Sequence, residues 1–504
     1  MISRISLFAV LTCWLVLGGK PSAGATVEDV RIQHVTVVSP ERSSPLREAE
    51  VYIHDGRIAS ITTGAPGPAA GATSAATTID GTGLYLAPGL IDSHVHLRSI
   101  PGMTDEQEAR HPDIAKLARD QIPRSYLLHG FTTLVDLIST PDRMARWKDH
   151  DIVPDTYFCG GAALMDGYPM NYLPKQVRYL AFPYMLIEPD TAAPPDIAPE
   201  MHTPAAVVAR MKADGAICVK TFYERGFAGV SNLPVPKAAT IRQLVQAAHA
   251  AGLPVLMHAS STEAQNFGLQ TGVDILAHGL WDWNEAPTLT EATPAIKAIL
   301  DDVLAKNAGW QPTIQVLYGE RDLFSTSFLS EPLLARVLPS SLIDWYRSPE
   351  GQWFHDLRAE RFHGKDRDAK AVEAEANERF AVPIARVTSA TAYLSSHGGR
   401  LLFGTDTPSG PIYANPPGLN GWLEMHRLVA AGETPEQIFR SATLSNAQAL
   451  KLDADIGTVE VGKRANLLLL RQDPTQTIEA YAGIVKVLLG GRVLDPTELV
   501  ANRN

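Results

Sequence analysis

From about residue 87 to 452 the chain repeats one arrangement, a short apolar run followed by a stretch with helical spacing. The runs fall at 89–97, 132–137, 156–160, 216–222, 254–259, 273–278, 313–317 and 400–405. Strands that alternate with helices belong to βα units, because a parallel return needs a crossover long enough to hold a helix. Eight runs is the number a (β/α)8 TIM barrel requires, so an α/β fold of that kind is expected here. One intervening helix is legible in detail. In 241–251, Ile241, Leu244, Val245 and Ala248 share a face, and Gly252 ends the pattern. His249, on the same stretch, reads as an ordinary helical histidine.

The two ends of the chain follow a different rule. Residues 30–38 alternate in part, 49–53 lead into the turn His54-Asp55-Gly56, and 57–62 return, which is a hairpin signal. A Pro/Gly/Ala-rich loop follows at 66–76, and short apolar runs recur at 467–471 and 484–494. Since both ends are β-rich, they are expected to build one small β-sandwich from 26–86 and 453–504, with the barrel, 87–452, inserted between them.

Residues 1–25 stand apart. Arg4 gives a positive start, 5–19 is apolar except for Ser6, Thr12 and Cys13, and Ala23-Gly24-Ala25 offers a cleavage site before Thr26. The expectation is a removable signal peptide and a secreted or periplasmic mature protein. The rival reading, a membrane anchor, meets an apolar run shorter than the roughly 18 residues that spanning demands. The formal charge is −11, and the leader carries Arg4 and Lys20 but no acid, so its removal makes the protein more acidic. Such a surface repels polyanions, which argues against nucleic acid or an anionic membrane as partner. Beyond the leader only Cys159 and Cys218 remain. Two cysteines make no disulfide scaffold, and buried free thiols are expected.

The residues that close the apolar runs carry the chemistry. His94 and His96 follow Leu90-Ile91, and residues two apart on a strand project from one face, so both imidazoles can meet one ion. Alone, a His-x-His pair is weak evidence. Its company is stronger: Lys220 closes Ile217-Cys218-Val219, His258 closes Val255-Leu256-Met257, His278 closes Ile275-Leu276-Ala277, and Asp406 follows Leu402 to Thr405. In parallel barrels, catalytic groups sit at the carboxyl ends of strands. One lysine or aspartate so placed is usually a paired structural charge, but six ionisable groups at successive strand ends resist that explanation. Four imidazoles and a carboxylate suit Zn²⁺ and similar divalent ions. An ammonium repels a cation, whereas a neutral lysine amine can add carbon dioxide and become an anionic, bridging carbamate.

This pattern resembles the amidohydrolase superfamily, especially its binuclear members with a carboxylated lysine, the prolidase-like and imidazolonepropionase-like hydrolases. The resemblance runs from Pro88-Gly-Leu-Ile-Asp-Ser-His-Val-His96 through Lys220, His258, His278 and Asp406 to Gly457-Thr-Val-Glu-Val-Gly-Lys-Arg-Ala-Asn466. Asn466 stands where the superfamily's closing segment usually has aspartate. The resemblance implies that His94, His96 and Asp406 hold one metal ion and His258 and His278 a second. Carboxylated Lys220 and a hydroxide would bridge the two, with Zn²⁺ the expected ion and Asp406 the catalytic acid-base. The implied activity is hydrolysis of an amide bond in a small molecule such as a dipeptide or N-acyl amino acid.

Other readings stay open. Phosphotriester or lactone hydrolysis uses the same ligands. A mononuclear deaminase would need an acid about three residues past His258, whereas Glu263 lies five residues on and Lys220 would have no task. A barrel that only binds is disfavoured because every ligand position holds a competent residue. Two insertions, 164–203 with Tyr168, Tyr172, Tyr179, Phe182 and Tyr184, and 318–392 with Trp345, Tyr346, Trp353 and Phe354, are expected to be lids over the mouth. Their aromatics either line a pocket for an apolar or aromatic acyl group or pack the lids onto the barrel. Tyr223 and Arg225 are candidates to hold a substrate carboxylate, as a tyrosine and an arginine do in the dipeptide hydrolases this chain resembles, against the alternative that Arg225 pairs with an acid of its own chain. The sequence leaves a homo-oligomer open.

Overall fold

A computed structural model of the chain describes residues 29–64, 77–227, 230–283, 288–363 and 368–502. The leader expected at 1–25 and the loop expected at 66–76 lie outside the described residues.

Strands β1 (Val30–Val37), β2 (Leu46–His54), β3 (Arg57–Thr63), β4 (Thr77–Asp80) and β5 (Tyr85–Pro88) open the chain. Then come β6 (Leu90–Val95), β7 (Phe131–Asp136), β8 (Asp155–Ala162), β9 (Cys218–Phe222), β10 (Val255–His258), β11 (Ile275–Ala277) and β12 (Gly309–Gln311). β13 (Leu467–Leu470), β14 (Ile484–Leu489) and β15 (Arg492–Leu494) close it. The first and last groups share one mixed sheet, ordered β15-β14-β13-β5-β1-β2-β3 with β4 beside β1. β5 carries the join, pairing in parallel with β1 and antiparallel with β13. The pairings thus define one eight-stranded sheet drawn from both ends of the chain. Its core is wholly aliphatic, from Val30, Ile32 and Val35 on one end to Leu467 and Leu488 on the other. Asn466 ties this sheet to the next, donating to Asp155 Oδ2 at 2.8 Å and accepting from the Gly490 amide at 2.8 Å.

β6 to β12 form a second, seven-stranded parallel sheet in strict chain order. Its two edge strands, β12 and β6, are both hydrogen-bonded by 400–407. Trp310 N donates to Arg400 O and Leu402 N to Trp310 O, while Ser93 N donates to Phe403 O and Asp406 N to His94 O. Asp92, on β6, fastens the same segment by accepting from Thr405 Oγ1 at 2.6 Å and from the Thr405 amide at 3.1 Å.

Two of the expected runs take another form. Residues 313–317 open the helix Ile314–Asp322, and the seventh strand lies just before them at Gly309–Gln311. Thr313 turns the chain between the two with a left-handed φ of 48°. Glycine at 309 allows the close approach of the closing segment, since a Cβ there would lie 2.6 Å from Leu402 Cδ1. Residues 400–405 hold no continuous ladder, only the isolated bridge of Leu401 to Trp310 and the bonds above.

Alternation along the parallel strands feeds two cores. Val135, Leu137, Cys159, Cys218, Leu256, Ile275 and Leu402 form an inner cluster closed by Ala449 and Leu450. Their sequence neighbours Leu134, Phe158, Val219, Val255 and Leu276 join the helices in a larger outer cluster. Each fully buried aliphatic side chain contributes roughly 1.5–3 kcal/mol, so period-two patterning holds the sheet from both sides. The helix Ala238–Ala250 belongs to the outer layer through Ile241, Leu244, Val245 and Ala248. His249 bonds Asp274 at 2.9 Å at the surface.

The expected free thiols are corrected. Cys159 and Cys218 are register partners across β8 and β9 and form a disulfide within the inner cluster. Their 59-residue separation hides a pairing that exists only once the register is known. Among the described residues no helix is long and apolar enough to cross a membrane.

Candidate metal centre

The ends of β6, β9, β10 and β11, with 400–407, carry the six ionisable side chains expected from the sequence. Asp406 is the hub. Its Oδ1 lies 2.9 Å from His96 Nε2 and 3.1 Å from His94 Nε2, and its Oδ2 lies 3.9 Å from His278 Nδ1. The His94 and His278 rings are 5.0 Å apart, and the His278 and His258 rings 4.4 Å. One donor atom each from His94, His96 and Asp406 fall within 4.8 Å of one another, close enough to share an ion. Lys220 is 1 % exposed, and its Nζ has no hydrogen-bond partner among the described residues. It is electrostatically coupled to Asp406, His94, His258 and His278.

Outer partners decide which nitrogen His94 and His258 offer. Gln311 donates from Nε2 to Ser93 Oγ at 2.7 Å, which turns its Oε1 toward His94 Nδ1 at 3.0 Å. That nitrogen therefore carries the proton, and His94 Nε2, buried and without a hydrogen bond, holds a lone pair. His258 Nε2 meets Glu224 Oε2 at 3.2 Å. A carboxylate only accepts, so His258 presents Nδ1 as its lone pair. Glu224 is itself held by Ser260 Oγ at 2.9 Å and the Gly226 amide at 2.8 Å. Thr313 Oγ1 engages His278 Nδ1 at 3.1 Å and orients the ring, and since a hydroxyl both donates and accepts it does not choose the tautomer. Metal-binding histidines commonly have the second nitrogen fixed in this way.

Burial sets the protonation states. It lowers His94 to about 3, with Lys220 adding to the effect, and it holds His258 below and His278 well below the ordinary imidazole range. Neutral imidazole is the ligating form. Burial also brings Lys220 down to about 7, against the pull of Asp406. Near neutral pH much of this amine is therefore unprotonated, the form that can add carbon dioxide. Asp406 is pushed up by burial, but the neighbouring His94 and His278 outweigh this and keep its carboxyl well below the usual range.

Three of the ten left-handed non-glycine residues among the described residues lie at this place. His278, Thr313 and Asp406 have φ of 75°, 48° and 55°. Left-handed residues with side chains cost of order 1–3 kcal/mol each and persist where the surroundings over-determine them. Here the Asp406 amide bonds His94 O at 2.7 Å and the Gly279 amide bonds Pro312 O at 2.8 Å. The buried Nζ of Lys220 adds a desolvation cost that no hydrogen bond offsets. The donor set of His94, His96 and Asp406 fits a divalent cation.

Tyr223 and Arg225 are engaged elsewhere. Tyr223 Oη donates to Glu263 Oε1 at 2.6 Å, and Arg225 donates to both Glu263 oxygens at 2.8 and 3.0 Å. Glu263 sits in the first turn of the helix Thr262–Thr271, capped by Ser261, so a carboxylate of the chain itself stands where a substrate carboxylate was expected. Alternation explains the outcome. Tyr223 shares the parity of Val219, packs on Phe267 at 4.4 Å and joins the outer core. Glu224 shares the parity of Lys220 and reaches His258. Sequence reasoning passed over Glu224, although counting by twos from Lys220 reaches it. It also missed Gln311 and Thr313, which lie next to the misplaced seventh strand.

Fold and donor set together define a metal-centred α/β enzyme scaffold, and the sequence comparison gives its family. The chain matches the Amidohydrolase family over residues 85–277 and 374–494, more than half its length, and belongs to that family. A dihydroorotase of Solibacter usitatus (strain Ellin6076) is 25% identical over 244 residues, 48% of this chain and 44% of that protein. The chain thus spans less than half the length of this curated relative. Among solved structures, a Xaa-Pro dipeptidase with bound methionine in its active site aligns with a TM-score of 0.61 at 18% identity, covering 93% of this chain and 100% of that one. Phenylurea hydrolase B aligns with a TM-score of 0.62 at 19% identity, covering 93% and 97%. At such identities these likenesses show the fold alone.

Proposed function

We propose that this member of the Amidohydrolase family is a metal-dependent hydrolase of amide (C–N) bonds, with dipeptides or N-acyl amino acids as its substrate class. The observation that carries the reading is the contiguous set of His94, His96, His278, His258 and Asp406, coupled to a buried, unpaired Lys220. In it, β6 to β12 and 400–407 make the (β/α)8 barrel of a domain spanning 87–452. Segments 26–86 and 453–504 make a composite β-sandwich domain, and 164–203 and 318–392 act as lids. The match to the Amidohydrolase family supports C–N bond cleavage.

His94, His96 and Asp406 would hold one divalent ion and His258 and His278 a second, with carboxylated Lys220 between them and zinc the ion of choice. Bound there, such ions acidify water and polarise a carbonyl. The chain does the rest. Gln311 and Glu224 hold His94 and His258 in their ligating tautomers, Thr313 orients His278, and the inner apolar cluster keeps bulk water from below. Asp406 takes the proton of the attacking water and delivers it to the departing nitrogen, since one carboxylate oxygen is free to trade partners once the other is engaged. We also read 1–25 as a signal peptide and the mature protein as exported. The Cys159–Cys218 disulfide supports this, because such bonds persist in oxidising compartments.

The test is metal analysis joined to a substrate panel. Metal-loaded protein is offered dipeptides and N-acyl amino acids beside esters, lactones and phosphotriesters. Two ions per chain and a preference for amides is the expected result. One ion with release of ammonia, or a preference for phosphotriesters, overturns the proposal.

A further inference from the structure

The side of the centre made by His258 and His278 is roofed by aromatic rings. Tyr168 lies 4.7 Å from the His258 ring, Phe227 5.8 Å from it, and Trp281 5.2 Å from the His278 ring. Tyr168 differs from the others in kind, because its ring carries a hydroxyl. Its ring is clamped on three further sides, by Phe227 at 5.5 Å and by Phe222 and Tyr172 at 5.9 Å each. The residue is carried by the 164–203 segment, whose own core of Met165, Met170, Phe182, Met185 and Ile187 includes Phe222 of β9. The ring therefore has little freedom to leave. Among the described residues its hydroxyl makes no hydrogen bond, whereas Tyr179 and Tyr184 of the same segment bond Asp166 and Asp214, and Tyr172, also without a bond, is 54 % exposed to water. A clamped, undirected phenol beside a ligating histidine has a donor to spare.

We propose that Tyr168 is a catalytic residue of this centre, donating its hydroxyl hydrogen bond to the carbonyl oxygen of the substrate as water adds to the carbon. This rests on the amide-hydrolase reading. In the step, the water oxygen bonds the carbonyl carbon and the carbonyl π pair moves onto oxygen, where the Tyr168 O–H meets it. The pair then returns, the C–N bond breaks, and the nitrogen leaves with the proton that Asp406 carries. Tyr168 keeps its own proton throughout. A donor fixed before the reaction favours the oxyanion over the ground-state carbonyl.

The experiment compares wild type, Tyr168→Phe and Tyr179→Phe, all metal-loaded, with the last as a control for the integrity of the segment. Metal per chain, kcat and KM on the best amide of the panel, and affinity for N-methylphosphonyl-alanine are measured. The phosphorus of this probe imitates the tetrahedral adduct. Tyr168→Phe should keep its metal and KM while kcat and probe affinity each fall about 10²-fold, the usual loss when one oxyanion donor is removed. Tyr179→Phe should behave as wild type. Unchanged probe affinity in Tyr168→Phe, a matching loss of metal, or an equal loss in Tyr179→Phe overturns the assignment. Because the probe binds without turnover, it decides the role of Tyr168 even if the panel disproves amide hydrolysis.

Discussion

The two faces of the chain leaving β9 treat charge in opposite ways. On the inner face, Cys218, Lys220, Phe222 and Glu224 run from the disulfide to the metal centre, with Lys220 1 % exposed and unpaired. On the outer face, Val219 and Tyr223 pack under helices and Arg225 forms a bidentate pair with Glu263, the two side chains 48 % and 42 % exposed. Both faces are built round a glutamate, yet only the inner one leaves polar atoms buried without partners. A fold tolerates that cost where a ligand repays it, so Lys220, buried without a hydrogen bond and coupled to His94, His258, His278 and Asp406, marks the inner face as the working one.

The sharpest way to break this contrast is Lys220→Ala. If the inner face is the working one, turnover falls about 10³- to 10⁴-fold, the scale on which a catalytic constellation fails when it loses a member. Bound metal falls with it, read by elemental analysis of the purified variant. Activity close to wild type would reduce Lys220 to an awkward core residue and remove the reason for treating the faces differently.

Next in size is the disulfide below it. Replacing Cys159 and Cys218 together by alanine should lower stability by about 2–4 kcal/mol, read as a shift in the guanidinium midpoint. A drop in midpoint with full turnover per folded molecule would make the bond a scaffold for β8 and β9. No drop at all would mean that the inner cluster holds the strands unaided.

Glu224→Gln follows. The amide keeps the shape but can turn a donor toward His258, so metal affinity or turnover should fall about 10- to 100-fold, as when such outer partners of ligating histidines are lost. Competition with a chromogenic chelator measures it. An unchanged affinity would mean that the Tyr168, Phe222 and Phe227 rings packed against His258 fix it without the carboxylate.

Much of this was legible in the chain because each signal was local. An apolar run ending in an ionisable residue requires no knowledge of the fold, and His94, His96, Lys220, His258, His278 and Asp406 were all named that way. Where the signal required partners, it failed. The disulfide depends on the register of β8 against β9. The seventh strand was misplaced because a three-residue strand and the first turn of a helix both read as a brief apolar run, and only the left-handed Thr313 separates them. Glu224 was within reach of simple alternation, but counting by twos is trustworthy only if the strand geometry continues past Phe222. Here it does, since the Tyr223 amide still bonds His258 O at 3.0 Å. Tyr168 arrives from a segment without periodicity, and no pattern in the sequence sets it apart from Tyr172 or Tyr179.

The smallest effect is the one that tests the outer face itself. Arg225→Ala removes an ion pair that is about half exposed, and such pairs are worth about 0–1 kcal/mol, so the thermal midpoint should hardly move. For catalysis the comparison is between substrates with a free carboxylate and the same substrates amidated. Because Glu263 already fills the guanidinium fork and Tyr223 already donates to the same carboxylate, neither group is spare, and KM should stay within about twofold for both series. A rise in KM confined to the carboxylate series would mean that Glu263 yields its place when substrate arrives. Glu263→Gln separates the cases further. If the clamp is latent, freeing Arg225 should tighten binding of carboxylate substrates alone, and if the outer face is only structural, neither series should respond.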